Sequence, residues 1–312
     1  MKRISERKIV MVKRKTRLED LIVRYNTVEQ ARFYIEHLGA DFSDYEDEHY
    51  TYHDALSRAE DNLSEIGRVQ ILERVYIPSF IFGPDDIVVA IGQDGLVANT
   101  LKYLRGQPLI GVNPDPARWD GVLLPFGVHD LGEAADRVVN DRYESKEITL
   151  GRAVLNDGRE LLAVNDFFIG QRTHISARYE IRHGEHSENQ SSSGIIVSTG
   201  LGSTGWLKSV LAGAEGVARG IRHNNMEVRL GENFEWGSRF LYFSVREPFP
   251  SKNSGAEIVF GRVDKINPLA VVSHMPENGV IFSDGIERDF LRFNSGMAAE
   301  IGLADFTGKL VV

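Results

Sequence analysis

The sequence predicts an N-terminal doubly wound α/β nucleotide-binding domain followed by an antiparallel β domain. Three observations carry that expectation. Strand and helix patterns alternate through about residue 138. Within them, the unbroken apolar run Ile87-Val88-Val89-Ala90-Ile91 passes through a glycine turn into a helical pattern. From Glu147 onward, short alternating or apolar runs are separated by turn signals such as Asn156-Asp157-Gly158, Arg182-His183-Gly184 and Ser283-Asp284-Gly285. The expected division is 1–138 for the α/β domain and 139–312 for the β-rich one.

Taken in order, Ile9-Val10-Met11-Val12 reads as a first strand, and Lys13-Arg14-Lys15-Thr16-Arg17 as a basic turn on a solvated edge. Leu21, Ile22, Tyr25, Val28, Ala31, Ile35 and Leu38 recur at helical spacing, which predicts one helix from Leu18 to Leu38, ending at Gly39. Asp41 to Asp54, acidic and rich in Tyr and His, could mimic a metal site by its Asp, Glu and His content, but no spacing there is diagnostic and it reads as an exposed loop. A helix over Ala55 to Ile66 and a strand over Arg68 to Ile77 follow. Pro108 to Val112 reads as a buried strand, Val128 to Val139 as a helix, and Trp206 to Arg219 as a helix within the β region.

Composition sets the outer limits. The 312 residues leave room for two cores, and the net charge of −9 argues against nucleic acid as the main partner. No cysteine is present, which removes thiolate chemistry and fits a reducing compartment. No apolar run approaches the roughly 20 residues that span a bilayer. The expectation is a cytoplasmic protein with no membrane partner, because the basic N-terminus runs almost directly into the first strand.

Two glycine turns carry the candidate chemistry. In Gly92-Gln93-Asp94-Gly95 the turn closes a buried strand and opens a helix, where open α/β sheets bind ligands. Glycines admit a phosphate to the backbone, the helix N-terminus offers free N–H groups, and Asp94 adds a carboxylate suited to accepting a proton. A plain capped turn explains the same residues about as well. The second turn, Ser198 to Trp206, contains Gly200-x-Gly202-x-x-Gly205, which matches a dinucleotide fingerprint and leaves an oxidoreductase open. Its nearest candidate ribose acids are Glu227 and Glu232, and its surroundings read as β. Ser198, Thr199, Ser203 and Thr204 make it rich in hydroxyls. Upstream, Asn165-Asp166 could bracket a ribose diol or simply cap a hairpin end. His183-x-x-His186 sits at a hairpin tip and reads as a solvated loop, and no metal ligands are assigned.

In order along the chain, these pieces resemble the NAD kinase family. Gly92-Gln93-Asp94-Gly95 is similar to its GGDG motif, Asn165-Asp166 to its Asn-Glu pair, and Gly202-Ser203-Thr204-Gly205-Trp206 to its G-S-T-A-Y segment. Lys15-Thr16-Arg17, the stretch Ile110 to Pro116 and Ser192-Ser193-Gly194 look closest to the mitochondrial-type branch. The likeness covers roughly Lys8 to Ser209, with Phe282 to Gly285 a weaker echo. Departures are Gln93 for glycine, Leu96 for threonine, Asp166 for glutamate, Gly205-Trp206 for Ala-Tyr, and Ser193 for the aspartate of many relatives.

The resemblance implies that the end of the chain packs back on the first domain. It implies transfer of the ATP γ-phosphoryl group to the 2′-hydroxyl of NAD's adenosine ribose, with Mg2+ or another divalent cation. Asp94 would be the catalytic base, and Gly92 and Gly95 would line the phosphates. Asn165, Asp166, Ser203, Thr204, Gly205, Trp206 and Ser209 would hold the dinucleotide. It also implies a homodimer or homotetramer. The alternatives are a dinucleotide-binding protein that has lost transfer, and a kinase acting on a lipid or sugar hydroxyl. The donor, ATP or polyphosphate, is left open.

Overall fold

The computed structural model describes residues 3–222, 230 and 234–312. The chain forms two compact units: residues 1–146 with 308–312, and residues 147–307.

The first unit is built on parallel strands. They are β1 (Lys8–Lys13), β2 (Arg68–Glu73), β3 (Ile87–Ile91), β4 (Pro108–Asn113) and the short β5 (Phe126–Gly127), in the order β5-β4-β3-β1-β2. Residues 309–310 add a further parallel pairing to β4, opposite Pro108 and Leu109. Every residue of β3 and β4 is buried, as their unbroken apolarity requires.

The helices of this unit are α1 (Arg17–Tyr25), α2 (Val28–His37), α3 (Ser43–Ile66), α4 (Asp94–Leu101) and α5 (Leu131–Val139). Tyr52, Ala59 and Leu63 of α3 and Leu131, Ala135 and Val138 of α5 share one core with Ile9, Met11, Val89 and Ile110 of the sheet.

The structure corrects several expectations here. The single helix over 18–38 is two helices, because Thr27 accepts from the Gln30 N–H and restarts the chain as an N-cap after Asn26 takes a left-handed φ of 70°. The strand over 68–77 stops at Glu73, and 74–79 form a 3₁₀ turn containing Pro78. The helix expected from Val128 begins at Leu131.

The expected acidic loop at Asp41 to Asp54 is the first half of α3, a helix of 24 residues. Its inward stripe begins with a charged residue. Glu48, 3% exposed, accepts from Arg14 at 2.8 Å and from Arg17, while Asp44 accepts from Arg17 at 2.7 Å and Arg118 at 2.6 Å. The basic turn is therefore not a solvated edge, because Arg14 and Arg17 fold onto the acidic helix. Burial works against ionisation of Glu48, but Arg17 and Arg14 outweigh it and hold its carboxyl below the usual range.

The second unit holds two antiparallel sheets. In one, β9 (Ala177–His183), β10 (His186–Ser192), β14 (Leu269–Ser273) and β17 (Ala298–Val311) run in the order β10-β9-β14-β17. There β6 (Ser145–Leu155) pairs with β17 and with β7 (Glu160–Ala163). The other contains β8 (Asp166–Gln171), β11 (Ile195–Ser198), β12 (Leu241–Val245), β13 (Phe260–Val263), β15 (Gly279–Ser283) and β16 (Ile286–Arg292), ordered β13-β12-β11-β8-β15-β16.

Phe167, Ile169, Val197 and Ile281 from this second sheet meet Tyr179, Ile181, Val271 and Ile301 from the first in one core. Because side chains alternate, Asp166, Phe168, Ser198 and Phe282 project from the opposite face. The helix α6 (Trp206–Arg222) lies on that face, with Leu207 packed against Phe240 and Tyr242.

Candidate functional site

In the first unit, β3 ends at Ile91, Gly92 N–H donates to the Val112 carbonyl, and α4 starts at Asp94. Leu96 is buried, with its Cδ2 3.0 Å from where a Cβ on Gly92 would lie, so Gly92 and Leu96 fit each other. Gly95 is exposed with open space around it.

Asp94 is held by backbone groups. Its Oδ1 accepts from Leu123 N–H at 2.8 Å and its Oδ2 from Val122 N–H at 3.2 Å. The turn that brings those donors is fixed by Gly111, where a Cβ would lie 2.0 Å from the Leu123 carbonyl oxygen. Asn113 holds the same segment, donating to the Trp119 carbonyl at 2.8 Å. The carboxylate is therefore oriented, half-buried, and at the positive end of a helix.

In the second unit, Asn165-Asp166 and the hydroxyl-rich turn come together. Thr199 N–H donates to the Asn165 carbonyl at 2.9 Å, and the Thr199 hydroxyl donates to the Val164 carbonyl at 2.6 Å. Gly202 allows this approach, since a Cβ there would lie 2.1 Å from the Asn165 carbonyl oxygen. Ser203 and Thr204 lie in a 3₁₀ turn, and Gly205 leads directly into α6 at Trp206. Ser203 and Trp206 are half-buried, whereas Thr204, Gly205 and Ser209 are exposed.

A residue given no role in the sequence reading organises the pair. Asp284, read as part of a hairpin turn and of a weaker family echo, accepts from the backbone N–H groups of Val164, Asn165 and Asp166, at 2.6 Å for Asn165. The signal available in the sequence was Asp284-Gly285, and both residues do adopt positive φ, at 56° and 68°. Asp166 itself is 8% exposed, and burial, with Asp284 close by, pushes its carboxyl up to about 7.

Beside Trp206 lies a cavity of about 420 Å³, lined by Phe168, Phe282, Phe290, Arg172 and Arg246 among others. Trp206 stacks on Phe168 at 5.8 Å between ring centroids with planes 10° apart. The Arg246 guanidinium lies over Trp206 at 5.6 Å, and that of Arg172 over Phe290 at 5.4 Å. Flat aromatic walls with two guanidinium groups suit a planar ring that carries phosphate. Sequence reading selected only Trp206 and noted Ser193 here, because the arginines stand in no motif.

Two competing readings lose ground. The strand preceding Gly200-x-Gly202-x-x-Gly205 is β11, antiparallel to both β8 and β12, so the fingerprint does not open a βαβ unit. Glu227 and Glu232, the acids considered for that reading, lie outside the described residues. His183 and His186 sit opposite each other across a hairpin, with His183 Nε2 2.8 Å from the Arg262 carbonyl oxygen.

The fold is shared with solved NAD kinases. Over 98% of this chain and 93% of theirs, it superposes on the ATP complex of the Archaeoglobus fulgidus NAD kinase with a TM-score of 0.58 at 16% identity. Yeast NADH kinase bound to NADH gives the same TM-score at 12% identity, covering 99% and 84%.

By sequence the chain is similar to curated NAD kinases over part of its length. It is 32% identical to that of Cupriavidus pinatubonensis over 133 residues, 40% of this chain and 42% of the relative. It is 30% identical to that of Burkholderia pseudomallei over 141 residues, 42% and 46%. The enzyme of Thermoplasma acidophilum matches at 27% over 130 residues. Each match thus spans under half of the relative's length, and no family model matches the chain.

Proposed function

We propose that the protein is an NAD kinase-type phosphotransferase that moves the γ-phosphoryl group of ATP to the 2′-hydroxyl of NAD's adenosine ribose. The observation that supports this most is Asp94, whose two oxygens each accept from one backbone N–H and so each keep a further lone pair to accept with. Asp94 takes the ribose hydroxyl proton as that oxygen bonds to the γ-phosphorus. The bond from the γ-phosphorus to the bridging oxygen breaks, and ADP leaves with that electron pair. Gly92 and Gly95 leave the backbone open to the phosphates. Asn165, Asp166, Ser203, Thr204, Gly205 and Ser209 hold the sugar and diphosphate, and Trp206 gives a ring a surface to stack on.

Mg2+ fits this arrangement as a phosphate-borne ion. No group of three ligating His, Asp or Glu side chains surrounds Asp94 among the described residues, and Mg2+ needs only one or two carboxylates when phosphates and water complete its shell. It would neutralise charge on the transferring group. No helix among the described residues is long and apolar enough to cross a membrane. A cytoplasmic homo-oligomer, nearest the mitochondrial-type branch, completes the proposal.

The test is NADP formation from NAD, ATP and Mg2+ by wild type and Asp94→Asn. Asparagine keeps an acceptor for Leu123 N–H but cannot take the proton, so turnover falls by about 10²–10⁴ while NAD binding persists. Undiminished turnover in the variant removes Asp94 as base. NAD binding without NADP formation by wild type, with polyphosphate also failing as donor, moves the dinucleotide-binding alternative ahead.

A further inference from the structure

A second cluster of ligating groups lies in the first unit, on the outer side of α1 and α3. His49 and His53 are one helical turn apart on α3, and their rings lie 4.4 Å apart between centroids. Glu19 of α1 faces them, with Oε1 3.3 Å from His53 Nε2. One ligand atom from each of the three residues lies within 4.8 Å of the other two. We infer that Glu19, His49 and His53 form a binding site for a divalent transition-metal ion of the zinc class, which ties α1 to α3.

Three features of the geometry support the inference. Two ligands of tetrahedral zinc, each about 2.0–2.1 Å from the ion, stand about 3.3 Å apart, which is the separation already present between Glu19 and His53. Side-chain rotation alone then has to close the third position. The His-x-x-x-His spacing puts both imidazoles on one helix face, and a carboxylate from a second helix gives a two-nitrogen, one-oxygen set with room for water.

The ligands are also held from behind. Glu19 Oε2 accepts from the Thr16 N–H at 2.8 Å, and the Thr16 hydroxyl lies 2.9 Å from His49 Nδ1, the kind of outer support that ligating residues carry.

The site is separate from Asp94 and independent of the kinase reading. It bears on it only because α3, the helix that carries both histidines, also carries Tyr52, which hydrogen-bonds the residue before Gly92.

The test titrates chelator-treated full-length protein with Zn2+, with Mg2+ as the oxygen-preferring comparison, and reads bound metal after dialysis and the thermal midpoint. Wild type retains one equivalent of Zn2+ and melts at a higher temperature with it, while Mg2+ does neither. His49→Gln and His53→Gln each weaken Zn2+ binding at least tenfold. Glu19→Gln, which keeps an acceptor for the Thr16 N–H, weakens Zn2+ binding while its metal-free thermal midpoint stays near that of wild type, and His186→Gln, on a hairpin of the second unit, leaves binding unchanged. In the Co2+-loaded protein, the visible bands of tetrahedral cobalt appear for wild type and vanish for His53→Gln. Failure of wild type to retain Zn2+, or equal retention by the double histidine variant, overturns the inference. NADP formation is measured separately and decides nothing here.

Discussion

The Tyr52 hydroxyl donates to the Ile91 carbonyl oxygen at 2.8 Å, joining the middle of α3 to the residue that precedes Gly92. The same hydroxyl accepts from the Arg14 N–H at 2.9 Å, and burial pushes its ionisation up to about 12. A single phenol therefore anchors both the basic turn and the glycine turn. Tyr52→Phe leaves the Arg14 N–H and the Ile91 carbonyl without this partner, and costs about 1–2 kcal/mol in urea unfolding. It also lowers turnover more than an equally destabilising change on α2 does, because the glycine turn loses its anchor. Equal turnover in the two variants would separate the turn's position from Tyr52.

Gly111→Ala places a methyl group where the Leu123 carbonyl now lies. The turn must withdraw, and its two N–H donors move away from Asp94. The expected result is a loss of about 3 kcal/mol and a fall in kcat larger than any change in the KM for NAD. Denaturant titration and steady-state kinetics check the two halves of this.

Asp166 gives the chain a pH dependence of its own. Its carboxyl sits near 7 in the folded protein and near 3.8 in the unfolded chain, so between those values the folded state binds the extra proton. Its contribution to stability is fully present below about pH 4 and is lost as pH rises through 7. Asp166→Asn removes that loss. The variant should be more stable than wild type at pH 8, on the order of a few kcal/mol, with the difference vanishing near pH 4. Urea midpoints at the two pH values decide it, and a variant less stable at pH 8 would falsify the burial argument.

Glu48 has the opposite sign. Its folded value is depressed, so its stabilisation is present above the ordinary carboxylate range and lost as pH falls through the folded value. Glu48→Gln leaves Arg14, itself mostly buried, without its carboxylate. Breaking a buried pair on one side costs about 3–5 kcal/mol. Since Arg14 also reaches over the Tyr52 ring, Glu48→Gln and Tyr52→Phe should be non-additive in a double-mutant cycle.

What the sequence revealed follows the kind of signal each element carries. The runs at 87–91 and 108–112 are apolar throughout because they are covered on both faces, and the helix from Trp206 has a clear start after its glycine turn. The first half of α3 was misread because its inward positions include Glu48, and the partners that make a buried glutamate tolerable, Arg14 and Arg17, come from another element. The site divides in the same way. Asp94 and the Asn165-Asp166 pair stand in short motifs that local reading finds. Asp284 acts on backbone groups about 120 positions away, so its turn signal does not say what it holds, and Arg246, over a ring 40 positions away, stands in no motif.

Residues 308–312 belong to the first unit although the whole of the second unit, 147–307, precedes them in the chain. Growing from the ribosome, the first unit can pair β1, β2, β3 and β4 early. The edge of β4 at Pro108 and Leu109 then waits for Lys309 and Leu310 through the synthesis of 161 further residues, 147 to 307 inclusive. For that interval the first residues of a buried parallel strand, short of the Val112–Asn113 end that β5 covers, keep one side of their backbone unpaired, the condition under which strands associate wrongly. The molecule thus has an assembly order written into its connectivity, in which residues 309–310, made long after β4, extend the sheet that was begun first.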